Sequence, residues 1–152
     1  MSRAQRTRAA MDAKHFEQIA AEEFAHVPSR VARRLSNIAL LIEDAPTVAI
    51  RTEEKLKATE TLLGLYRGVP ANARGAGYGI GMTAPDTITL YRIPVLTRAR
   101  IEAPGGVIDE ETVRRIVRET LWHEIGHAFG LSEPAVEARE AAGTNHFNDE
   151  RD

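Results

Sequence analysis

Apolar residues fall at helical spacing early in the chain, where Phe16, Ile19, Ala20, Phe24 and Val27 follow one another behind Asp12. One face is then apolar, and Asp12 is suited to accept hydrogen bonds from the first free amides, so an amphipathic helix starts there. Pro28 interrupts the pattern, and Ser29 caps a second, short helix through Val31 and Leu35. In residues 37–43, Asn-Ile-Ala-Leu-Leu-Ile-Glu, apolar side chains occupy both alternating faces, which predicts a strand covered on both sides, the central one of its sheet. Residues 47–51 read as another short extended piece, and residues 52–63 have the Glu and Lys content of a helix. From Asp86 to Arg92, Ile88 and Leu90 alternate with Thr87, Thr89 and Tyr91, the pattern of a strand that Pro94 either ends or confines to a sheet edge. A loop at 103–106 follows. Asp109 then caps a long helix, with Glu110 and Glu111 in its positive first turn. Over residues 121–129 that helix is nearly all apolar and must be buried, and Pro134 opens a last short helix. The predicted fold is α+β: two N-terminal helices, a small mixed sheet, the long helix and a short C-terminal helix.

With 152 residues the chain reads as one domain, residues 12–142, able to bury about 68–70% of its unfolded surface without covalent staples. A flexible arm (1–11) carrying Arg3, Arg6 and Arg8 precedes the domain, and a polar tail (143–152) follows it. The absence of cysteine excludes disulfides, a thiolate nucleophile and a Cys-based metal site, and fits a reducing compartment. A net charge of -2 argues against nucleic acid as a partner. Neither a signal-peptide core nor an apolar run of membrane-spanning length is present, so a soluble, cytoplasmic protein with no membrane partner is expected.

The middle of the chain is rich in glycine: Gly64, Gly68, Gly75, Gly77, Gly79 and Gly81. No Gly-Lys-Ser/Thr string follows and no helix starts there, so these glycines do not form a phosphate cradle. They predict a loop and an irregular strand whose backbone runs close to other backbone along a cleft.

The chemistry concentrates in the long helix. His123 and His127 are four apart, on one helical face, and can aim two imidazoles at one ion. Zn2+ suits such a pair, which a third protein ligand and a water would complete. Glu124, beside the first histidine, is then the general base. A continued helix would carry Glu133 about 15 Å along the axis from His123, out of reach. Gly130 offers an end to the helix and a turn back, which makes Glu133 the candidate third ligand in the string H-E-x-x-H-x-x-G-x-x-E. Glu137, on the helix that Pro134 opens, is its nearest rival, and His146 a distant one. Between Glu119 and Glu137 there is no Lys or Arg, while Glu119, Glu124, Glu133 and Glu137 accumulate, a neighbourhood that a cation completes. His15 and His26 read as solvated or capping side chains.

Together, Leu63-Gly-Leu-Tyr-Arg-Gly-Val-Pro70, Gly77-Tyr-Gly79, the 86–92 strand and His123-Glu-Ile-Gly-His-Ala-Phe-Gly-Leu131 resemble the small bacterial zincin-like metallopeptidases, a minimal relative of the metzincins, over residues 16–137. The resemblance implies zinc ligation by His123 and His127 and a catalytic Glu124. Glu133 falls where that family more often has Asp, one methylene shorter. No Met follows Met82, so the methionine floor of full metzincins is absent. The expected function is zinc-dependent hydrolysis of peptide bonds in a peptide or protein, and a free edge on strand 86–92 would offer such a substrate backbone to pair with. Three alternatives stand beside it. A metal-dependent endoribonuclease of the rRNA-maturation type uses H-x-x-x-H-x-x-G-x-x-H, against which Glu124 and Glu133 both speak. The others are a non-catalytic metal-binding or interaction module and a zinc hydrolase of a non-peptide amide.

Overall fold

The periodic run behind Asp12 forms α1 (Ala13–Ala25), and Asp12 Oδ1 accepts the His15 amide at 2.9 Å. The computed structural model describes residues 11–34, 38–68 and 86–144. Phe16, Ile19 and Ala20 are fully buried on the inner face of α1, and Met11, the last residue of the expected arm, is itself part of the core. After Pro28 comes α2 (Ser29–Arg34), which buries Val31. The apolar run then enters the sheet as β1 (Ile38–Glu43).

Between β1 and the next strand, the expected order of extended piece and helix is reversed. Residues 48–53 are helical, α3 (Val48–Glu53), because Thr47 Oγ1 accepts the Ile50 amide at 3.2 Å. Lys55, at a φ of 54°, stops the helix in the left-handed conformation, so that Leu56 N donates back to Arg51 O at 2.9 Å. Helix-forming composition in 56–63 is overridden by this turn, and the chain runs without regular structure into β2 (Gly64–Arg67).

The sheet order is β1-β3-β2, where β3 is Asp86–Tyr91. β1 pairs with β3 in parallel, Ile38 opposite Asp86, and β2 pairs with it antiparallel, Gly64 opposite Leu90. Two expectations are corrected here. The strand of residues 37–43 is not central among the described residues: Leu41 on its outer side is 42% exposed. The strand that starts at Asp86 is not an edge, since it has neighbours on both sides and Asp86, Ile88, Leu90 and Tyr91 are all buried. Pro94 lies outside it, because the chain turns at Arg92 into α4 (Arg92–Glu102), where a proline in the first turn has no intrahelical bond to lose.

A 3-10 turn (Pro104–Gly106) leads to α5 (Glu110–Ala128), whose Asp109 cap accepts the Thr112 amide at 2.6 Å. This helix packs against α1, α4 and both β2 and β3, burying Val113, Val117, Leu121 and Ile125 in the common core. On its outer side Arg114 reaches Glu22 of α1 at 2.6 Å and Arg118 reaches the buried Glu23 at 3.2 Å. The last element is α6 (Glu133–Ala141), capped by Ser132. The result is α+β, with the long helix laid across a small mixed sheet. Among the described residues no helix is long and apolar enough to cross a membrane.

Candidate metal centre

At the C-terminal end of α5 the helix stops as its glycine requires. Gly130 has a φ of 95°, Gly130 N donates to His127 O at 2.8 Å and Leu131 N to Gly126 O at 3.1 Å. This double closure turns the chain back on itself, and Ser132 at once starts α6 with Glu133 as its first residue. The turn brings one carboxylate oxygen to both imidazoles. Glu133 Oε1 lies 3.1 Å from His123 Nε2 and 2.7 Å from His127 Nε2. Donors around a tetrahedral zinc at about 2.1 Å lie about 3.4 Å apart, so spreading of less than about 1 Å admits an ion. Two imidazole nitrogens and a carboxylate oxygen are also the donor types zinc takes. His123, Glu124 and His127 each offer a ligand atom within 4.8 Å of one another as well. Glu124 and Glu133 are thus both near, and their surroundings separate them. Glu124 is 5% exposed, and its Oε1 already accepts the Tyr66 amide at 2.8 Å.

The far side of each imidazole is also held. His127 Nδ1 meets the Leu131 carbonyl at 2.8 Å, which accepts but cannot donate, so Nδ1 carries a proton; Nε2, which here faces Glu133, would present its lone pair once an ion takes the place of the shared proton. His123 Nδ1 meets Glu140 Oε1 in the same way. Carboxylate and carbonyl partners of this kind orient metal-binding histidines and raise their basicity.

The protonation equilibria carry the same imprint. Burial works to lower the His123 pKa, but the Glu133 hydrogen bond, the Glu124 charge and the Glu140 hydrogen bond outweigh it, and the net shift is upward. Burial pushes the Glu133 carboxyl up, yet its hydrogen bonds to the two histidines prevail and hold it below its usual range. Glu124 is raised by burial, against the pull of His123, His127 and the Tyr66 amide.

Glu124 is reached by β2 because of pairing geometry. Tyr91 N bonds to Leu63 O, so alternate residues 63, 65 and 67 face β3 and the backbone of Gly64 and Tyr66 faces the other way. The outward amide of Tyr66 therefore meets Glu124, while its phenol donates to the buried Asp86 at 2.7 Å. Gly64 allows the approach: a β-carbon there would lie 2.7 Å from Thr120 Cγ2 and 3.1 Å from Thr89 O. Thr120 is buried and its hydroxyl is tied to Ile116 O, so it cannot swing aside freely. Gly64→Ala is expected to destabilise the protein by about 1–3 kcal/mol, the usual cost of overpacking, seen as a lower denaturant midpoint. An unchanged midpoint would show that β2 and α5 are not held at this separation.

Of the residues singled out in the sequence, His123, Glu124, His127 and Glu133 come together. Glu137 lines the same cleft one turn along α6 but makes no hydrogen bond to either imidazole among the described residues. His15 and His26 stay on α1 and its end, near Glu110 and Glu23, away from the centre. His146, Gly75, Gly77, Gly79 and Gly81 lie outside the described residues. Two contributors were missed. Glu140 is seven residues past Glu133, two turns on the same face of a helix, and that spacing was available as a signal. Tyr66 acts through its backbone, which no residue-type argument reveals.

The centre opens into a cleft of about 1280 Å³ between β2, the end of α5 and α6. That exceeds the space a small-molecule ligand fills and leaves room for an extended chain. Among the described residues eight glutamates line it, against two arginines, Arg67 and Arg98, and no lysine.

No curated protein matches the chain. Residues 35–142 match a family model described as zincin-like metallopeptidase.

Proposed function

The chain belongs to the zincin-like metallopeptidase family, and on that premise we propose that it hydrolyses peptide bonds, with Glu124 as general base and zinc held by His123, His127 and Glu133. The observation that carries this reading is the convergence of both Nε2 atoms on one oxygen of Glu133 beside a buried, separately anchored Glu124. Zinc, when bound, supplies a Lewis acid that polarises the scissile carbonyl and acidifies water to a pKa of about 7. The rest belongs to the chain. Glu124 keeps one oxygen on the Tyr66 amide and uses the other to take a proton from the attacking water, then returns it to the leaving nitrogen. His123 and His127 present lone pairs because Glu140 and the Leu131 carbonyl fix their tautomers.

The cleft's charge bears on the ribonuclease alternative. A phosphodiester backbone approaching eight glutamates meets repulsion where such enzymes need cations, so RNA is disfavoured. The reading is tested by metal analysis of protein purified without chelator, followed by a peptide-library screen before and after chelation. One zinc per chain and chelator-sensitive peptide cleavage are expected. Cleavage of RNA with no cleavage of any peptide would replace this reading with the nuclease.

Glu140 gives a further check. Glu140→Gln leaves all three proposed ligands in place but weakens the acceptor on His123 Nδ1, so zinc affinity should drop about 10–100-fold. A competition titration measures it, with His15→Ala as a control that keeps wild-type affinity.

A further inference from the structure

We propose that the cleft selects cationic substrates, peptides with Lys or Arg flanking the scissile bond. This rests on the peptidase reading above and adds the substrate class to it. The charges lining the cleft do not cancel even with the metal included. A divalent ion's charge is matched by Glu124 and Glu133, so these two carboxylates are spent. Arg115, from outside the lining, reaches Glu119 at 3.2 Å and Glu102 at 3.5 Å. Arg67 is engaged by Glu53, also outside the lining. Four lining carboxylates then remain: Glu54 at the end of α3, Glu60 before β2, and Glu137 and Glu140 on α6. Glu54, Glu60 and Glu137 have no ion pair among the described residues, and Arg98 is the lining cation left to face the four. Residues 69–85 add one arginine and no carboxylate to the chain, too little to reverse the sign.

The arrangement matters as much as the count. These carboxylates come from separate segments of the chain, the end of α3 and the following loop on the one hand and α6 on the other, and line one cleft together with both histidines. A concave surface lined by one sign of charge focuses its field along the groove and raises the local concentration of opposite charge by about 10-fold or more. The chain as a whole carries only -2, so the field is a property of this groove and not of the protein's net charge. Neutral and acidic peptides have no such attraction to gain.

The test uses the full chain loaded with zinc and three fluorescent peptides that are identical except at the positions flanking one bond, which hold Lys, Gln or Glu. Binding is followed by fluorescence anisotropy on Glu124→Gln, so that the peptides stay intact, and turnover on the wild type. The Lys peptide is expected to bind at least about 10-fold more tightly than the Gln peptide, with the Glu peptide weakest. At about 0.5 M salt the preference should collapse, as screening predicts. Glu137→Gln and Glu54→Gln should each reduce Lys-peptide binding about 2–5-fold, the range of an exposed charge pair, and leave Gln-peptide binding unchanged. Equal binding of the Lys and Gln peptides, or tighter binding of the Glu peptide, overturns the proposal even if peptides are cut. Preferential binding of the Lys peptide with no cleavage upholds the cation-selecting cleft and removes the peptidase reading instead.

Discussion

Glu124→Gln is expected to lower peptide hydrolysis by about 10²–10⁴-fold, the usual share of a general base, while zinc content stays at the wild-type level. Glutamine keeps the volume, and its carbonyl oxygen can still accept the Tyr66 amide, so β2 stays anchored to α5. What is lost is the group that takes the proton. The variant also has a stability signature of definite sign. Burial raises the Glu124 pKa in the folded protein, so the folded state holds that proton more tightly than the unfolded chain. The contribution of this group to stability is therefore greatest at acid pH and is lost as pH rises from the unfolded value through the raised one. In metal-free protein, Glu124→Gln should match the wild type below about pH 4 and become relatively more stable towards neutrality. Denaturant melts across that range check it. Equal hydrolysis by both proteins would sink the proposed mechanism, and a variant that loses zinc would make Glu124 a ligand.

The second large effect concerns the carboxylate that completes the site. Glu133→Ala is expected to weaken zinc binding by about 10-fold or more, whereas Glu137→Ala and His146→Ala should retain wild-type affinity. Retention by Glu133→Ala would move the assignment to Glu137. The comparison belongs near pH 8, because the proton competes with the metal for Nε2. The His123 pKa is raised above its ordinary value, so wild-type affinity should begin to fall at a higher pH than for an unperturbed histidine. Removing Glu133 also removes one of the groups that raise it, and at lower pH that partly offsets the lost ligand.

The metal helix was legible because each of its signals is local. The Asp109 cap, the four-residue histidine spacing and the stop at Gly130 all act within one or two turns, and the structure follows each of them. Sheet order is set by contacts between distant residues. The continuous apolar run of β1 pointed to the centre, yet β3, which mixes Thr and Tyr with Ile and Leu, took that place, paired on both sides, packed against α4 and α5 and buried at nearly every position. Pro94 misled in the same way, since its effect depends on whether it falls within a strand or just after one. The partnership of Glu124 with Tyr66 spans 58 positions and uses a main-chain amide, so no side-chain pattern could have announced it.

The double hydrogen-bond closure at Gly130 has a consequence for how the protein reaches its native state. It makes the three proposed ligands neighbours along the chain, with six residues from His127 to Glu133 and seven more to Glu140. Closing so short a segment costs little chain entropy, and contacts of low sequence separation form early. The α5–α6 corner can therefore capture its ion while the strands are still unpaired, and zinc should accelerate refolding as well as raise the final stability. The Tyr66–Glu124 bond needs a long-range strand to arrive and comes later. A metal-loaded intermediate would thus exist before a competent base does, and cleavage would be withheld until the sheet has assembled.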